Sequence, residues 1–545
     1  MSSNGNSDWW RGGVIYQVYP RSFQDSDGDG MGDLAGITDR LDHIARLGVD
    51  AVWIAPFFTS PMADMGYDVS NYTDVDPIFG TLEDFDRLLA RAHELGLKVI
   101  IDQVLSHTSD QHPWFLESRT GRDNPRADWY VWADPQPDGT PPNNWLSVFG
   151  GPAWEWDGVR KQYYLHNFLA SQPDLNFHCE AVQDALLDTV RFWLDRGVDG
   201  FRLDTANFYF HDPELRSNPP IDAKVSAAGI GADAPDTNPY GMQNHVYSKS
   251  RPENIGFLER FRALLDEYEA TASVGEIGDA RAIQLTAEYT AGRRLHMAYT
   301  FDLLSDRFSA DYIRNTVRRF EDAVTEGWVC YAFSNHDVMR HVSRWCGPER
   351  DLDQLAKFAA TLLLTLRGSV CLYQGEELGL TEAELAYKDL QDPYGIRFWP
   401  AFKGRDGCRT PMVWRADAPH GGFTTGKPWL PVPEAHLPLA ADRQEGDARS
   451  VLEHYRAMLA LRAQTPALVD GDMAFLEMPG DVLGFTRAKD GEALLLVFNF
   501  EDAPVTVAPP KARLEPVTIP GSGATLGDQG IQIPPLHVFC GRLSQ

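Results

Sequence analysis

The 545-residue chain has few cysteines, few basic residues and no long apolar run, and each shortage excludes a class of protein. Its six cysteines form no C-x-x-C pair, so we expect free thiols in a cytoplasmic protein rather than a disulfide framework or a zinc site. The longest apolar run, at residues 358–366, is far too short to span a membrane. The first seven residues are polar and predict no signal peptide.

The shortage of basic residues sets the charge of the chain. Lysine and arginine number 49 against 78 acidic residues, which gives a formal net charge of −29. Such a surface repels phosphate backbones and anionic lipids, so we expect small-molecule partners and neither nucleic acid nor membrane. We expect a monomer or a homodimer. The hydrophobic content of 43% is enough for a large packed interior.

One junction recurs along the chain: a helical pattern, then a glycine, then a short apolar strand. It occurs at residues 46–54, 94–102, 195–202, 325–331 and 366–372. A glycine just past a helix adopts the left-handed conformation that turns the chain into a strand. Three more apolar segments, at residues 14–19, 273–277 and 297–301, bring the strands to eight. Apolar strands alternating with helices predict the α/β class and a (β/α)8 TIM barrel.

Two departures from this alternation predict further domains. Residues 105–174 contain no helix–glycine–strand unit and are rich in Trp, Pro, Asn and Asp, so we expect an irregular insertion after strand 3. From residue 467 onward, short strands and turns favour a C-terminal antiparallel β-sandwich. The predicted domains are therefore a barrel of residues 1–104 and 175–466, the insertion of residues 105–174, and the sandwich of residues 467–545.

Polar residues close four of the predicted strands. Asp102 ends strand 3, Arg202 and Asp204 end strand 4, Glu276 ends strand 5, and residues 335–337 (Asn-His-Asp) follow strand 7. The carboxyl ends of all barrel strands meet at one rim, where active sites lie. Two carboxyl groups in different protonation states are what cleavage of a glycosidic bond requires. An arginine two residues before Asp204 favours the ionised form of that carboxylate.

These segments resemble the signature blocks of the α-amylase family of glycoside hydrolases (family 13), and most closely its α-glucosidase and oligo-1,6-glucosidase branch. The four blocks are matched by residues 102–107, 200–204, Glu276 and residues 333–337, and the sequence Gln-Pro-Asp-Leu-Asn at 172–176 is similar to the block that marks this branch. The resemblance covers nearly the whole chain from Trp9 and implies no organic cofactor.

The resemblance implies a role for each matching residue. Asp204 would be the nucleophile, Glu276 the acid/base and Asp337 the stabiliser of the transition state. His107, Arg202 and His336 would contact the glucose in the −1 subsite, and Asp64 and Tyr67 would hold that sugar. Arg409 matches the arginine that pairs with Asp64 and closes the non-reducing end, which implies an exo-acting enzyme. Phe149 and Phe168 fall where aromatic residues line the entrance.

Two departures from the family pattern bear on the subclass. Ser106 stands where calcium-dependent amylases carry an asparagine ligand, so the amylase calcium site is not expected. Thr205 stands where α-1,6-specific relatives tend to have valine, which favours α-1,4 bonds or sucrose. We therefore expect a retaining α-glucosidase acting on short α-glucosides, maltose-type above all, with some transglucosylation. Alternatives are a dedicated α-glucosyltransferase or sucrose isomerase and, more remotely, a non-catalytic transporter-associated subunit, although such subunits lose the catalytic carboxylates that this chain keeps.

Residues 25–33, which we call the metal loop, place carboxylates at alternate positions (Asp-Ser-Asp-Gly-Asp-Gly-Met-Gly-Asp). This spacing wraps oxygen atoms around a hard cation, as at the start of an EF-hand, but the twelfth position is Gly36 rather than glutamate. The loop resembles the calcium or magnesium loop of the α-glucosidase branch. The expected ligands of this structural cation are Asp25, Asp27, Asp29, the carbonyl of Met31, and Asp33.

Overall fold

The computed structural model describes residues 8–221, 237–347 and 350–544. Eight parallel strands form its largest sheet: β1 (Val14–Val18), β2 (Ala51–Ile54), β3 (Lys98–Gln103), β4 (Gly200–Leu203), β5 (Ala272–Ile277), β6 (Met297–Thr300), β7 (Cys330–Tyr331) and β8 (Ser369–Tyr373). The hydrogen-bonded order is β6-β5-β4-β3-β2-β1-β8-β7, and one parallel bridge from Ala298 to Val329 closes the ring between β6 and β7. The predicted barrel is confirmed.

A helix follows each barrel strand. These are α1 (Leu34–Leu47), α2 (Leu82–Glu94), α3 (Glu180–Asp195), α4 (Asn254–Leu265), α5 (Ala282–Thr290), α6 (Ala310–Ala323), α7 (Leu352–Thr365) and α8 (Val451–Gln464). Local sequence explains their ends. Thr81 and Asp84 form a reciprocal capping box at the start of α2. Gly48 ends α1 in the left-handed conformation, with φ +88°, that the recurring glycine predicts.

The barrel has a packed interior and an apolar outer layer. Side chains such as Ile15, Trp53, Ile100, Val274 and Met297 form one buried cluster within the ring of strands. A larger cluster joins the outer faces of the strands to the helices and continues into the C-terminal strands. The strands are buried on both faces, as parallel strands between a core and a helical layer must be. Polar groups are therefore concentrated at the strand ends, and active sites of such barrels lie at the carboxyl ends.

Short strands, helices and 3-10 turns lie outside the regular alternation of barrel strands and helices. After β2 comes a hairpin of Phe58–Thr59 and Asn71–Val75, and after β3 a three-stranded antiparallel sheet of Trp132–Ala133, Trp154–Asp157 and Gln162–Leu165. The minor α-helices are Pro20–Phe23, Pro113–Ser118, His341–Arg344, Pro393–Phe398, Ala441–Gln444 and Pro466–Val469, and the 3-10 turns are Pro239–Met242, Glu376–Leu378, Tyr387–Asp389, Asp406–Cys408, Pro419–Gly422 and Glu434–Leu439. The small sheet lies within the stretch predicted as the insertion.

The C-terminal strands are antiparallel and form two sheets. They are β9 (Asp472–Leu476), β10 (Val482–Lys489), β11 (Glu492–Asn499), β12 (Val505–Val507), β13 (Arg513–Pro516), β14 (Thr525–Gly527), β15 (Gly530–Ile533) and β16 (Val538–Ser544). One sheet has the order β9-β10-β11-β16-β13 and the other β12-β15-β14, with a shared apolar cluster that includes Val497 and Ile531. The antiparallel C-terminal unit is as predicted. Among the residues described, no helix is both long and apolar enough to cross a membrane, and the six cysteines are free.

Candidate active site

The polar residues at the ends of β3, β4 and β5 meet around one guanidinium group, that of Arg202. Its Nη1 lies 2.9 Å from Asp102 Oδ1 and 2.6 Å from Asp204 Oδ1, and its Nη2 lies 2.6 Å from Glu276 Oε2. Asp102, Arg202 and Glu276 are at most 1% exposed, and Asp204 is 5% exposed. One cation therefore faces three carboxyl groups in a site shielded from water.

Burial, together with the excess of carboxyl groups over cations, sets the protonation of the two central carboxyl groups, those of Asp204 and Glu276. Burial raises the pKa of Asp204 to about 7, although Arg202 opposes that rise. Burial likewise raises the pKa of Glu276 to about 7, and the charge of Asp204 adds to the effect. The arginine thus acts on Asp204 in the expected direction, but burial outweighs it. Because the two groups repel each other and share one guanidinium, they titrate as a pair, and loss of one proton makes the second harder to remove.

Thr205 follows Asp204 in a strained backbone conformation. Its φ is +41°, a region that β-branched residues rarely adopt. In this conformation its backbone N–H donates to Glu276 Oε2 at 3.0 Å, and its hydroxyl lies 3.3 Å from Asp204 Oδ2 and 3.1 Å from Ser106 Oγ. Thr205 therefore contacts both central carboxyl groups, those of Asp204 and Glu276. The hydroxyl of Ser106 is hydrogen-bonded to the hydroxyl of Thr205.

Asp337 lies in a different electrostatic environment. Its Oδ1 accepts from Arg409 Nη2 at 2.9 Å and from Arg405 Nη1 at 3.1 Å, while its Oδ2 lies 3.3 Å from His336 Nε2. Burial alone would raise the pKa of this carboxyl group, but the adjacent His336 and the two guanidinium groups hold it below its ordinary value. Asp337 is therefore ionised whenever the protein is folded at neutral pH.

His336 is held as a neutral ring whose orientation is defined. Burial lowers its pKa well below the ordinary value. The side-chain amide of Gln17, on β1, lies 2.7 Å from Nδ1, and the Tyr67 hydroxyl contacts Nε2. Because the amide nitrogen of Gln17 donates to Nδ1, the proton of the neutral ring is on Nε2, beside Tyr67 and Asp337. The rings of Tyr67 and His336 also stack at 5.4 Å.

The ion pair of Asp64 corrects one expectation from the sequence. The resemblance implies that Arg409 pairs with Asp64, but it is Arg405 Nη2 that lies 2.8 Å from Asp64 Oδ1. Arg405 also contacts Asp392 at 2.8 Å. Arg409 instead donates hydrogen bonds to Asp337 and to the carbonyl oxygen of His336. Both arginines belong to one loop, four residues apart, and the 3-10 turn Asp406–Cys408 between them directs the two side chains to different carboxylates.

The remaining predicted substrate residues border the same cluster. His107 Nε2 lies 3.1 Å from the carbonyl of Tyr67, and burial lowers the pKa of His107 to about 4, so its ring is neutral. The ring of Phe168 packs 5.2 Å from that of His107. Phe149 packs on Phe168 at 5.8 Å and under the guanidinium of Arg405 at 5.0 Å. Both phenylalanines thus adjoin the site, and both are also buried in an apolar cluster.

Sequence reasoning missed three residues of this cluster. Tyr299, on β6, donates its hydroxyl to Glu276 Oε1 at 2.9 Å and accepts from Arg202 Nη2 at 2.9 Å. The sequence contained only a partial signal, because Tyr299 lies in the predicted strand that follows the strand of Glu276; the structure then pairs the two residues in register. Gln17 lies next to the last residue of β1, within a segment predicted as a strand. Arg405 gave no signal, because its loop has no regular pattern.

The metal loop gathers three of its five expected ligands. Carboxylate oxygens of Asp25, Asp27 and Asp29 lie within 4.8 Å of one another. The carboxylate of Asp33 does not join this group. It accepts a hydrogen bond from the N–H of Gly36, which caps the start of α1, and it also accepts from the backbone N–H and the hydroxyl of Ser26. The side chain of Met31 faces Arg21, with its sulfur atom 3.7 Å from Nη1. An all-oxygen set of three adjacent anionic groups fits a hard cation such as calcium or magnesium.

Active sites of such barrels lie at the carboxyl ends of the strands, and a pair of carboxyl groups there is what cleavage of a glycosidic bond requires. The family comparison agrees: the model of the α-amylase catalytic domain matches residues 17–471. This chain belongs to the α-amylase family of glycoside hydrolases. It is 60% identical over 540 residues to a probable alpha-glucosidase of Rhizobium meliloti (strain 1021), and the match covers 98% of this chain and 97% of the relative.

Two solved structures have the same fold over nearly the whole chain. The alpha-glucosyl transfer enzyme XgtA superposes with a TM-score of 0.95 at 57% identity, covering 98% of this chain and 99% of that one. The trehalulose synthase MutB from Pseudomonas mesoacidophila superposes with a TM-score of 0.88 at 34% identity, covering 98% of this chain and 99% of that one. The relatives therefore include enzymes described as hydrolase, transferase and synthase.

Proposed function

We propose that this chain is a retaining, exo-acting α-glucosidase that hydrolyses short α-glucosides. Maltose-type α-1,4 bonds are favoured, sucrose is a second substrate class, and transglucosylation accompanies hydrolysis. The observation that carries the proposal is the contact of Arg202 with both Asp204 and Glu276, each at 2.6 Å. A retaining mechanism needs its two carboxyl groups close together, about 5 to 5.5 Å apart, and one guanidinium shared between them supports such proximity.

In the first step, ionised Asp204 attacks the anomeric carbon while protonated Glu276 donates its proton to the glycosidic oxygen. The bond to the leaving sugar breaks, and a β-glucosyl ester forms on Asp204. Two groups hold Glu276 in place: the N–H of Thr205 donates to Oε2 and the hydroxyl of Tyr299 donates to Oε1. The raised pKa of Glu276 keeps the proton available near neutral pH.

In the second step, Glu276 accepts a proton from water, the oxygen attacks the anomeric carbon, and the ester to Asp204 breaks. An alcohol in place of water gives a new glucoside, which is transglucosylation. Asp337 remains ionised throughout and is proposed to bind sugar hydroxyl groups and to stabilise the positive charge of the transition state. The exo mode is supported by the Asp64–Arg405 ion pair, which we propose closes the far end of the −1 subsite.

A dedicated α-glucosyltransferase or sucrose isomerase is a second candidate, because the structural relatives include an alpha-glucosyl transfer enzyme and a trehalulose synthase. The chemistry of the first step is the same for all three activities. What differs is the acceptor that reaches the glucosyl-enzyme: water, another sugar, or the fructose just released. Product analysis on maltose and on sucrose, with and without an added alcohol, separates the three. Free glucose as the main product without an alcohol supports the glucosidase, and trehalulose or isomaltulose from sucrose supports the isomerase.

Trapping the covalent intermediate tests the mechanism. A 2-deoxy-2-fluoro glucosyl donor slows the second step, so a glucosyl adduct should accumulate on the peptide that contains Asp204, as measured by mass spectrometry. Asp204→Asn should abolish both the adduct and turnover of a nitrophenyl α-glucoside. Asp199→Asn is the matched control, since Asp199 lies just before β4, at the opposite end of that strand, and pairs with Lys98. An adduct elsewhere, or full activity of Asp204→Asn, would show that the assignment is wrong.

We also propose that the metal loop holds a structural calcium or magnesium ion through Asp25, Asp27, Asp29, the carbonyl of Met31, and Asp33. Its charge would offset the repulsion of clustered carboxylates, and no chemical step involves it. The cytoplasmic location and a monomeric or homodimeric state likewise remain proposals from the sequence.

A further inference from the structure

The metal loop and the proposed catalytic cluster are joined by one run of hydrogen bonds. The backbone N–H of Trp429 donates to the carbonyl of Gly30, within the loop, at 3.0 Å. The indole N–H of Trp429 donates to Ser22 Oγ at 3.1 Å, and the hydroxyl of Ser22 donates to the carbonyl of Arg409. Arg409 then donates to Asp337 at 2.9 Å.

The first contact in this run is rigid. Gly30 has a φ of +98°, and a Cβ atom at this position would lie 1.8 Å from the carbonyl oxygen of Lys427. A Cβ atom on Gly28 would lie 2.6 Å from the side chain of Thr425. The Thr424 hydroxyl also donates to Asp25. At contacts this close, a displacement of the loop would move the segment 424–429 with it.

The last contact is also well defined. Arg409 is fully buried, its Nε donates to the carbonyl of His336 at 2.7 Å, and its Nη2 contacts Asp337. Its remaining nitrogen, Nη1, has no hydrogen-bond partner among the described residues. Two nitrogen atoms therefore hold the guanidinium against His336 and Asp337, and the hydroxyl of Ser22 holds the backbone of the same residue at the Arg409 carbonyl.

We propose that Trp429 and Ser22 are positioning residues that couple cation binding in the metal loop to sugar binding at Asp337. The inference rests on the proposed cation site and on the proposed role of Asp337. A cation that orders the loop fixes Trp429, which through Ser22 fixes Arg409 and the carboxylate that contacts the sugar. Thermodynamic linkage requires the effect to be reciprocal, so a bound sugar must tighten cation binding by the same factor.

The test measures both ligands on the intact chain by titration calorimetry. Calcium is titrated with and without saturating 1-deoxynojirimycin, a glucose-shaped inhibitor, and the inhibitor is titrated with and without calcium. In the wild type each ligand should raise the affinity of the other by the same factor, at least about five-fold, the lower end of typical coupling. In Trp429→Phe and in Ser22→Ala the factor should fall to about one, while each affinity measured alone is kept.

Trp132→Phe is a matched control, because the indole N–H of Trp132 donates to the hydroxyl of Ser118 at 3.0 Å, in the region of the small three-stranded sheet. This variant loses the same kind of bond and should keep the wild-type coupling factor. If Trp429→Phe kept that factor, or lost calcium binding altogether, the coupling role would be refuted. Absence of calcium binding to the wild type would refute the cation site as well, and absence of inhibitor binding would refute the proposed function itself.

Discussion

Replacing Glu276 by glutamine is expected to stabilise the protein while it abolishes hydrolysis of natural glucosides. In the folded state burial raises the pKa of Glu276 from its ordinary value of 4.5 to about 7. Between these two pH values the folded state binds more protons than the unfolded state, so stability falls as the pH rises through this window. Glutamine carries no charge at any pH and removes this loss.

The size of the effect follows from the same numbers. A pKa difference of about 2.5 corresponds to about 3 kcal/mol once the group is ionised in both states, at about 1.4 kcal/mol for each pH unit. An unfolding entropy of about 2.1 cal/mol/K per residue makes 1 kcal/mol worth about 1 °C in a chain of this length. Glu276→Gln should therefore raise the melting temperature by about 2–3 °C at pH 8 and by almost nothing at pH 4.5. Arg202 keeps two partners, Asp102 and Asp204, in the variant.

Thermal unfolding of both proteins at several pH values between 4.5 and 8 checks this expectation. Asp392→Asn provides a control of opposite sign. Although burial alone would raise the pKa of Asp392, Arg405 holds it below its ordinary value, so this carboxylate stabilises the fold when ionised and its loss should lower the melting temperature. A stability gain of Glu276→Gln that is equal at pH 4.5 and pH 8, or a loss at pH 8, would refute the explanation by burial.

Four further predictions follow from the site. The pH profile of kcat/KM should be bell-shaped around pH 7, because Asp204 must be ionised while Glu276 is protonated; a flat profile from pH 5 to 9 would contradict this assignment. Thr205→Val should lower kcat/KM for maltose relative to isomaltose, and an unchanged ratio would remove this residue from linkage choice. Arg405→Lys should raise KM for maltose by roughly tenfold, with a smaller change in kcat, because an ammonium group cannot contact Asp64, Asp337 and Asp392 together as the guanidinium does; an unchanged KM would show that the ion pair does not close the subsite. Chelation should lower the melting temperature of the wild type but not that of Asp25→Asn, and equal effects would place the cation elsewhere.

The sequence predicts the barrel and the catalytic cluster for a topological reason. In a ring of parallel strands every carboxyl end lies at one rim, so recognising that Asp102, Asp204 and Glu276 end separate strands is enough to bring them together. The register then explains why Tyr299 joins them, since it is paired with Glu276. Regular secondary structure converts position in the chain into position in space, which makes such contacts predictable.

In a loop, the position of a residue in the chain does not predict its position in space. Arg405 and Arg409 lie on a stretch without periodicity, and only its folded path shows that the first contacts Asp64 and the second does not. The strain at Thr205 is equally invisible, since a threonine after a strand gives no sign that its φ is positive. Both features depend on packing between segments that are distant in the chain, and local propensity does not encode that packing.

The distribution of arginines explains how three similar carboxyl groups can have different roles. Asp204 and Glu276 share Arg202 with Asp102, so one positive charge faces three carboxyl groups and burial keeps the pKa values of both near 7. Asp337 instead contacts His336 and two guanidinium groups, which together hold its pKa low against the effect of burial. A group that must exchange a proton during each turnover needs a pKa near the working pH, whereas a group that only stabilises positive charge must stay ionised. The number of guanidinium groups around each carboxylate therefore separates Asp204 and Glu276, of which only Glu276 is proposed to transfer a proton, from the permanent anion Asp337, before any substrate binds.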